Sequence, residues 1–154
     1  METSEQALVG DFAAVDEAMR RHAAIFAAHE FLFSGMSMEG SPELRRFPVY
    51  RFRNERTSLG IEIAFFAAAE GLNGGFTVLI TKPVNQKLDV EDYLDSRGSA
   101  ASTERFAYRD PGTDVRGFAD DFLRMLGGML DGELKPILDG EYFEATPMDW
   151  MGYK

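Results

Sequence analysis

Few residues in this 154-residue chain have the types and spacing that chemistry needs. His22 and His29 are the only histidines. Seven residues apart on a helix, they share a side but stand about 10 Å apart along the axis. A single metal ion draws helical ligands from one turn. The positions three and four away from them are Ala18, Met19, Ile25, Phe26, Leu32 and Phe33, none a good zinc ligand. Both histidines are therefore expected to be satisfied, partly buried side chains. Asp89, Glu91, Asp92 and Asp95 are dense in carboxylate, but they lack the central glycine and terminal glutamate of a twelve-residue calcium loop. They suit a solvated helix face. Glu70 to Gly75 is glycine-rich, yet it joins strand to strand. A phosphate-cradling loop leads from a strand into a helix and usually carries a lysine or GxGxxG spacing. No GxSxG elbow occurs, and there is no cysteine, which excludes disulfides, thiolate metal sites and a cysteine nucleophile. No catalytic residue, metal or cofactor is expected.

Two constellations remain. Arg51, Arg53 and Arg56 stand at the end of an expected strand and can share a side with Glu62, Thr77 and Thr81. A concave sheet face bearing arginines could hold an anionic small molecule. The plainer account pairs them with Glu62 and with the acidic C-terminus. The second constellation is that acidic C-terminal third. From Asp110 to Lys154 there are ten acidic and four basic residues, a net of −6, within a chain of formal charge −10. Asp120, Asp121, Asp131, Asp139, Glu141 and Trp150 are the candidates for docking another protein, because acidic charge steers a basic partner and aromatic residues anchor interfaces. The alternative is that Phe143 and Trp150 close the core. Glu43 to Arg56 carries five arginines against two glutamates, and the bland expectation is that it neighbours the acidic third and partly neutralises it. Overall, such a surface repels nucleic acid and anionic lipid.

These residues need elements to hold them. Leu59, Ile61, Ile63 and Phe65 alternate with Gly60, Glu62, Ala64 and Phe66, and Phe76, Val78 and Ile80 alternate with Thr77, Leu79 and Thr81. Period-two alternation on both sides of Asn73-Gly74 predicts a β-hairpin. Upstream, Phe47 to Arg53 reads as a strand, with Phe47, Val49, Arg51 and Arg53 on one side. Pro48 suggests an edge strand or a strand start. Residues 34 to 42 have turn composition and are expected as a loop. Residues 4 to about 30 read as one long helix, with Leu8, Phe12, Val15, Met19, His22 and Phe26 drawing one stripe and Thr3 with Gln6 forming a capping box. Its alanines allow close approach by the sheet or by the same helix of a second copy.

Beyond Pro83 the chain is expected to leave the sheet. Asp89 caps a short helix from Val90 to Arg97, ended by Gly98. Glu104 to Arg109 can return as a fourth strand. After the turn at Asp110-Pro-Gly-Thr113, the amphipathic pattern of Val115, Phe118, Ala119, Phe122, Leu126 and Met129 predicts a helix ended at Asp131-Gly132, followed by a helical turn at Leu134 to Leu138. The longest apolar run, Ile63 to Ala69, has seven residues, too short to cross a bilayer. Met-Glu-Thr-Ser-Glu-Gln leads into no apolar segment, so no signal peptide is expected. The expectation is a single α+β domain over residues 1–154. It has an antiparallel three- to four-stranded meander, with a long N-terminal helix and C-terminal helices packed on one face.

The meander PVYRFRNERTSLGIEIAFF (48–66) and the run DVRGFADDFLRMLGGMLDGELKPILDGEYF (114–143) resemble small acidic bacterial proteins of the toxin-immunity type. That resemblance implies a protein that neutralises a cognate enzyme by covering its active site with acidic residues, and it carries over no site residue. The absence of cysteine fits a reducing compartment, so the leading expectation is a cytoplasmic, non-enzymatic domain that binds a basic protein. The competing expectations are a small-molecule-binding or enzymatic domain using Arg51, Arg53, Arg56 and Glu62, and a homodimeric accessory protein joined through its first helix.

Overall fold

The computed structural model describes residues 11–41, 45–68, 73–98, 106–108, 113–141 and 143. The expected capping box at Thr3 and Gln6, the turn at Asp110-Pro-Gly and Trp150 lie outside these residues. The fold is α+β, built on an antiparallel sheet. Five strands pair in chain order: β1 (Leu32–Ser41), β2 (Arg45–Arg53), β3 (Gly60–Phe66), β4 (Gly74–Lys82) and β5 (Gln86–Asp89). A two-residue strand β6 (Ala107–Tyr108) pairs with the start of β4. This is wider than the three- to four-stranded meander that alternation alone predicts.

The extra strands arise where side chains give little signal. The segment expected as a loop at 34–42 is instead most of β1, paired with β2 from Leu32↔Arg53 to Ser41↔Arg45 with an irregularity between Phe33 and Gly35. Backbone pairing needs no apolar period, so an edge strand can be written in serines and glycines. Its one faint signal is Met36 and Met38, two apart, of which Met36 packs on the core. β2 is consequently interior. Pro48 pairs with Met38, while the ladder with β3 begins only at Val49. The proline thus stands at the end of that ladder, where a missing N–H is tolerated. At Pro83 the chain does not leave the sheet. It reverses through Val84 and Asn85, both at positive φ (67° and 57°), into β5.

The hairpin of β3 and β4 forms in the expected register, from Gly60↔Thr81 to Phe66↔Gly75. Gly75 sits at φ +144°, where a Cβ would collide with Phe106 O, so only glycine lets β6 approach. The sheet's alternation separates two faces. Tyr50, Phe52, Ile61, Ile63, Phe65, Phe76, Val78 and Ile80 all join the main core. Phe47, Val49 and Ala64 form a smaller cluster with Phe66 on the other face.

Helices cover the first face. In place of one unbroken helix, the described part of the N-terminal segment holds α1 (Asp11–Arg21) and α2 (Ala23–Ala27), loosened at His22. Glu30, at φ 68°, ends it, with Phe31 N–H bonded to Phe26 O at 2.9 Å. Asn54, 3% exposed, ties the β2–β3 turn to this end by donating to His29 O and accepting from the N–H groups of Arg56 and Thr57. α3 (Val90–Ser96) is capped as expected by Asp89, which accepts from Glu91 N and Asp92 N, and Gly98 follows it at φ +77°. α4 (Val115–Asp131) packs beside α1, and α5 (Lys135–Leu138) follows. Phe12, Val15, Met19, Ile61, Ile63, Val78, Ile80, Phe118, Phe122 and Leu126 lie in one core, with Phe12 and Phe118 only partly buried. No helix among the described residues is long and apolar enough to cross a membrane.

Candidate functional site

The acidic third divides once it is folded. Along the seam between α1 and α4, Arg116 pairs with Glu17, and Arg21 Nη2 donates to Asp120 Oδ1 at 2.8 Å. His22 Nε2 stands 2.9 Å from the same oxygen. The hydrogen bond from Arg21 holds the Asp120 carboxyl below the usual carboxylate range, with His22 adding to it. Asp120 is therefore turned into the fold. The other candidates face water. The side chains of Asp121 and Asp131 are 80% and 76% exposed, and Asp139 and Glu141 are exposed as well. Asp121 is 3.3 Å from Arg124, Asp131 is 3.3 Å from His29 Nε2, and Asp139 accepts from Lys135 at 2.8 Å. Both histidines are thus partnered by carboxylates. Glu133, not singled out by the sequence, is exposed between Asp131 and Lys135.

The arginine face is only partly assembled. Arg51 and Glu62 are cross-strand neighbours on β2 and β3, 3.5 Å apart. Arg51 also donates to Ser37 Oγ at 2.7 Å and reaches Glu39 at 3.4 Å, while Lys87 approaches Glu62 at 3.7 Å. This ladder spans β1, β2, β3 and β5 with two acids and two bases, so its charge is internally matched. Arg53 is exposed one row away. Arg56 lies in the β2–β3 turn, bonded to Glu30 at 2.7 Å. Among the described residues, the ion pairs of Arg51 and Arg56 run to Glu39, Glu62 and Glu30. The C-terminal acids pair with Arg21 and His22, with His29 after α2, and with Arg124 and Lys135 of their own segment. No ion pair among the described residues joins the two segments whose mutual neutralisation was expected.

Sequence reasoning missed a cavity of about 270 Å³ between α1 and the β1 edge, lined by Asp16, Met19, Arg20, Ala23, Phe33 and Tyr50. Tyr50 is buried on the core face of β2, its hydroxyl donating to Asp16 Oδ1 at 3.1 Å. Arg20 Nε donates to Asp16 Oδ2 at 2.8 Å. Burial, then the Asp16 charge, pushes the Tyr50 hydroxyl well above its ordinary pKa, so it stays protonated and serves as a donor. The i, i+4 spacing of Asp16 and Arg20 was a visible signal for their pair, but nothing in the sequence aims them at Tyr50. Leu32 and Phe33 beside this cavity are 59% and 48% exposed.

Of the carboxylates at α3, Asp92 and Asp95 face water as expected, whereas Asp89 is buried and Glu91 half-buried. Burial raises Glu91 to about 7, with the charges of Asp89, Asp95 and Asp92 adding to the effect. No group of three His, Asp or Glu side chains suited to a metal ion occurs among the described residues. In comparisons with family models, curated proteins and solved structures, nothing matches this chain.

Proposed function

We propose that this chain is a non-enzymatic, cytoplasmic protein-binding domain of the immunity or inhibitor type, which docks a basic partner through the acidic end formed by α4 and α5. The observation that carries the reading is the run from Asp131 to Glu141, in which Asp131, Glu133, Asp139 and Glu141 are all exposed and Lys135 is the one base. Exposed charge of one sign raises association rates with an oppositely charged protein and suppresses wrong partners. Asp120, engaged by Arg21 and His22, serves the fold instead. The cytoplasmic assignment follows the cysteine-free composition.

The test is capture from an extract of the native host at low and moderate salt. It compares the wild type with a variant carrying Asp121→Asn, Asp131→Asn, Glu133→Gln, Asp139→Asn and Glu141→Gln. A basic protein released by salt and lost with the variant is the expected result. A partner retained in full by the neutralised variant overturns the reading.

A further inference from the structure

Strand β1 is one edge of the sheet, bordered among the described residues by β2 alone. From Leu32 to Gly40, no backbone group bonds to any described residue beyond the pairing with β2 and the Ser34 hydroxyl's bond to Arg51 O. Proteins ordinarily blunt such an edge with lysine, proline or a twist that interrupts pairing. This one has no lysine, arginine or proline across ten residues. Its single charge, Glu39, is turned onto the sheet face by Ser37 and Arg51. The irregularity falls between Phe33 and Gly35, leaving Met36 to Ser41 regular.

Three features converge on this edge. Leu32 and Phe33 are two of the three large apolar side chains exposed among the described residues. The 270 Å³ cavity opens beside them with Phe33 as one wall, and an apolar cavity of about 150 Å³ already holds a benzene ring. The acidic end adjoins the strand's start, because His29, three residues before Leu32, contacts Asp131 at 3.3 Å.

We propose that β1 accepts an extended strand from a basic protein partner. The added strand extends the sheet by main-chain hydrogen bonds and places one leucine- or phenylalanine-sized side chain in the cavity between Phe33, Met19 and Tyr50. Main-chain bonds to an edge supply affinity, while pockets for alternate side chains supply specificity. The acidic flank and a formal charge of −10 select a cationic strand over a second copy of this chain. The proposal rests on the reading of the partner as basic, and it goes further by naming the secondary structure through which that partner binds.

The probe is a capped nonapeptide alternating lysine with leucine, measured by fluorescence anisotropy. Two N-methylated versions, one on each alternating set of amides, leave the protein untouched and report on the main chain. One set should weaken binding at least tenfold and the other less than threefold, because a docked strand offers alternate amides to the edge. Hydrogen exchange at alternate amides of Leu32 to Gly40 should slow when the peptide saturates the protein. Equal binding of both methylated peptides, or protection elsewhere, overturns the proposal. So does a self-dimer in sedimentation that Leu32→Ser dissolves, since a second copy then occupies the edge. A threonine–leucine peptide separates the two readings. If it keeps the methyl selectivity and binds as well as the lysine peptide, strand addition stands and the basic partner falls. If the lysine peptide is favoured only when the acids are intact, with no methyl selectivity, acidic docking stands and strand addition falls.

Discussion

Asp120 and Asp121 are adjacent in sequence and opposite in role, because successive residues on a helix point about 100° apart. One turns to Arg21 and His22 across the seam, and the other is mostly in water. Glu91 shows the same dependence on surroundings. Its carboxyl, raised to about 7 by burial and three neighbouring carboxylates, binds a proton in the folded state that the unfolded chain releases near its ordinary value of 4.5. Between those values the folded state holds more protons, so the contribution of Glu91 to stability declines as pH rises through the window. Glu91→Gln should therefore be more stable than wild type above pH 7, by about 1–2 kcal/mol once the shift is discounted for partial exposure. The two should converge near pH 4.5. Urea melts at pH 5 and pH 8 check this, and an equal effect at both values contradicts the assignment.

At the scale of the elements, the tight return from β4 to β5 carries an avoidable strain. Val84 is 90% exposed and holds φ 67°, a left-handed conformation that a β-branched residue adopts only at a cost. Asn85, also left-handed, suits its position. Val84→Asn should stabilise the protein by about 1 kcal/mol, read as a higher urea midpoint with an unchanged slope. A lower midpoint would mean that the turn adopts another geometry. Much of the element plan was legible. The hairpin of β3 and β4, the Asp89 cap and the span of α4 all follow from periodicity and capping residues. β1 and β5 were not legible, since a short or serine- and glycine-rich strand gains its order from its neighbour's backbone rather than from its own apolar pattern.

For the molecule as a whole, the core is where sequence and structure agree most closely. Phe122 stacks on Phe76 with ring centroids 4.3 Å apart and meets Phe106 edge-on at 5.0 Å, so α4, β4 and the segment before β6 meet at one ring. Phe122→Ala should cost about 3–5 kcal/mol, a large part of the roughly 5–15 kcal/mol that holds a domain folded. Thermal and urea unfolding would register it, and an unchanged midpoint would show that α4 does not close this core. The candidate surfaces were legible only as residue lists. The acids from Asp131 to Glu141 stay exposed together, whereas Arg51 and Arg56, five residues apart, end on different carboxylates.

Sequence alone determined the fold class, the amphipathic faces and the core, because burial repeats with the period of the element that carries it. Tertiary structure alone decided which strand stands at the edge, which carboxylates remain in water and where a cavity opens beside Phe33. These depend on what lies across a ladder or a helix seam, such as Arg21 against Asp120 or Tyr50 against Asp16. Contacts between residues tens of positions apart leave no period in the chain that makes them.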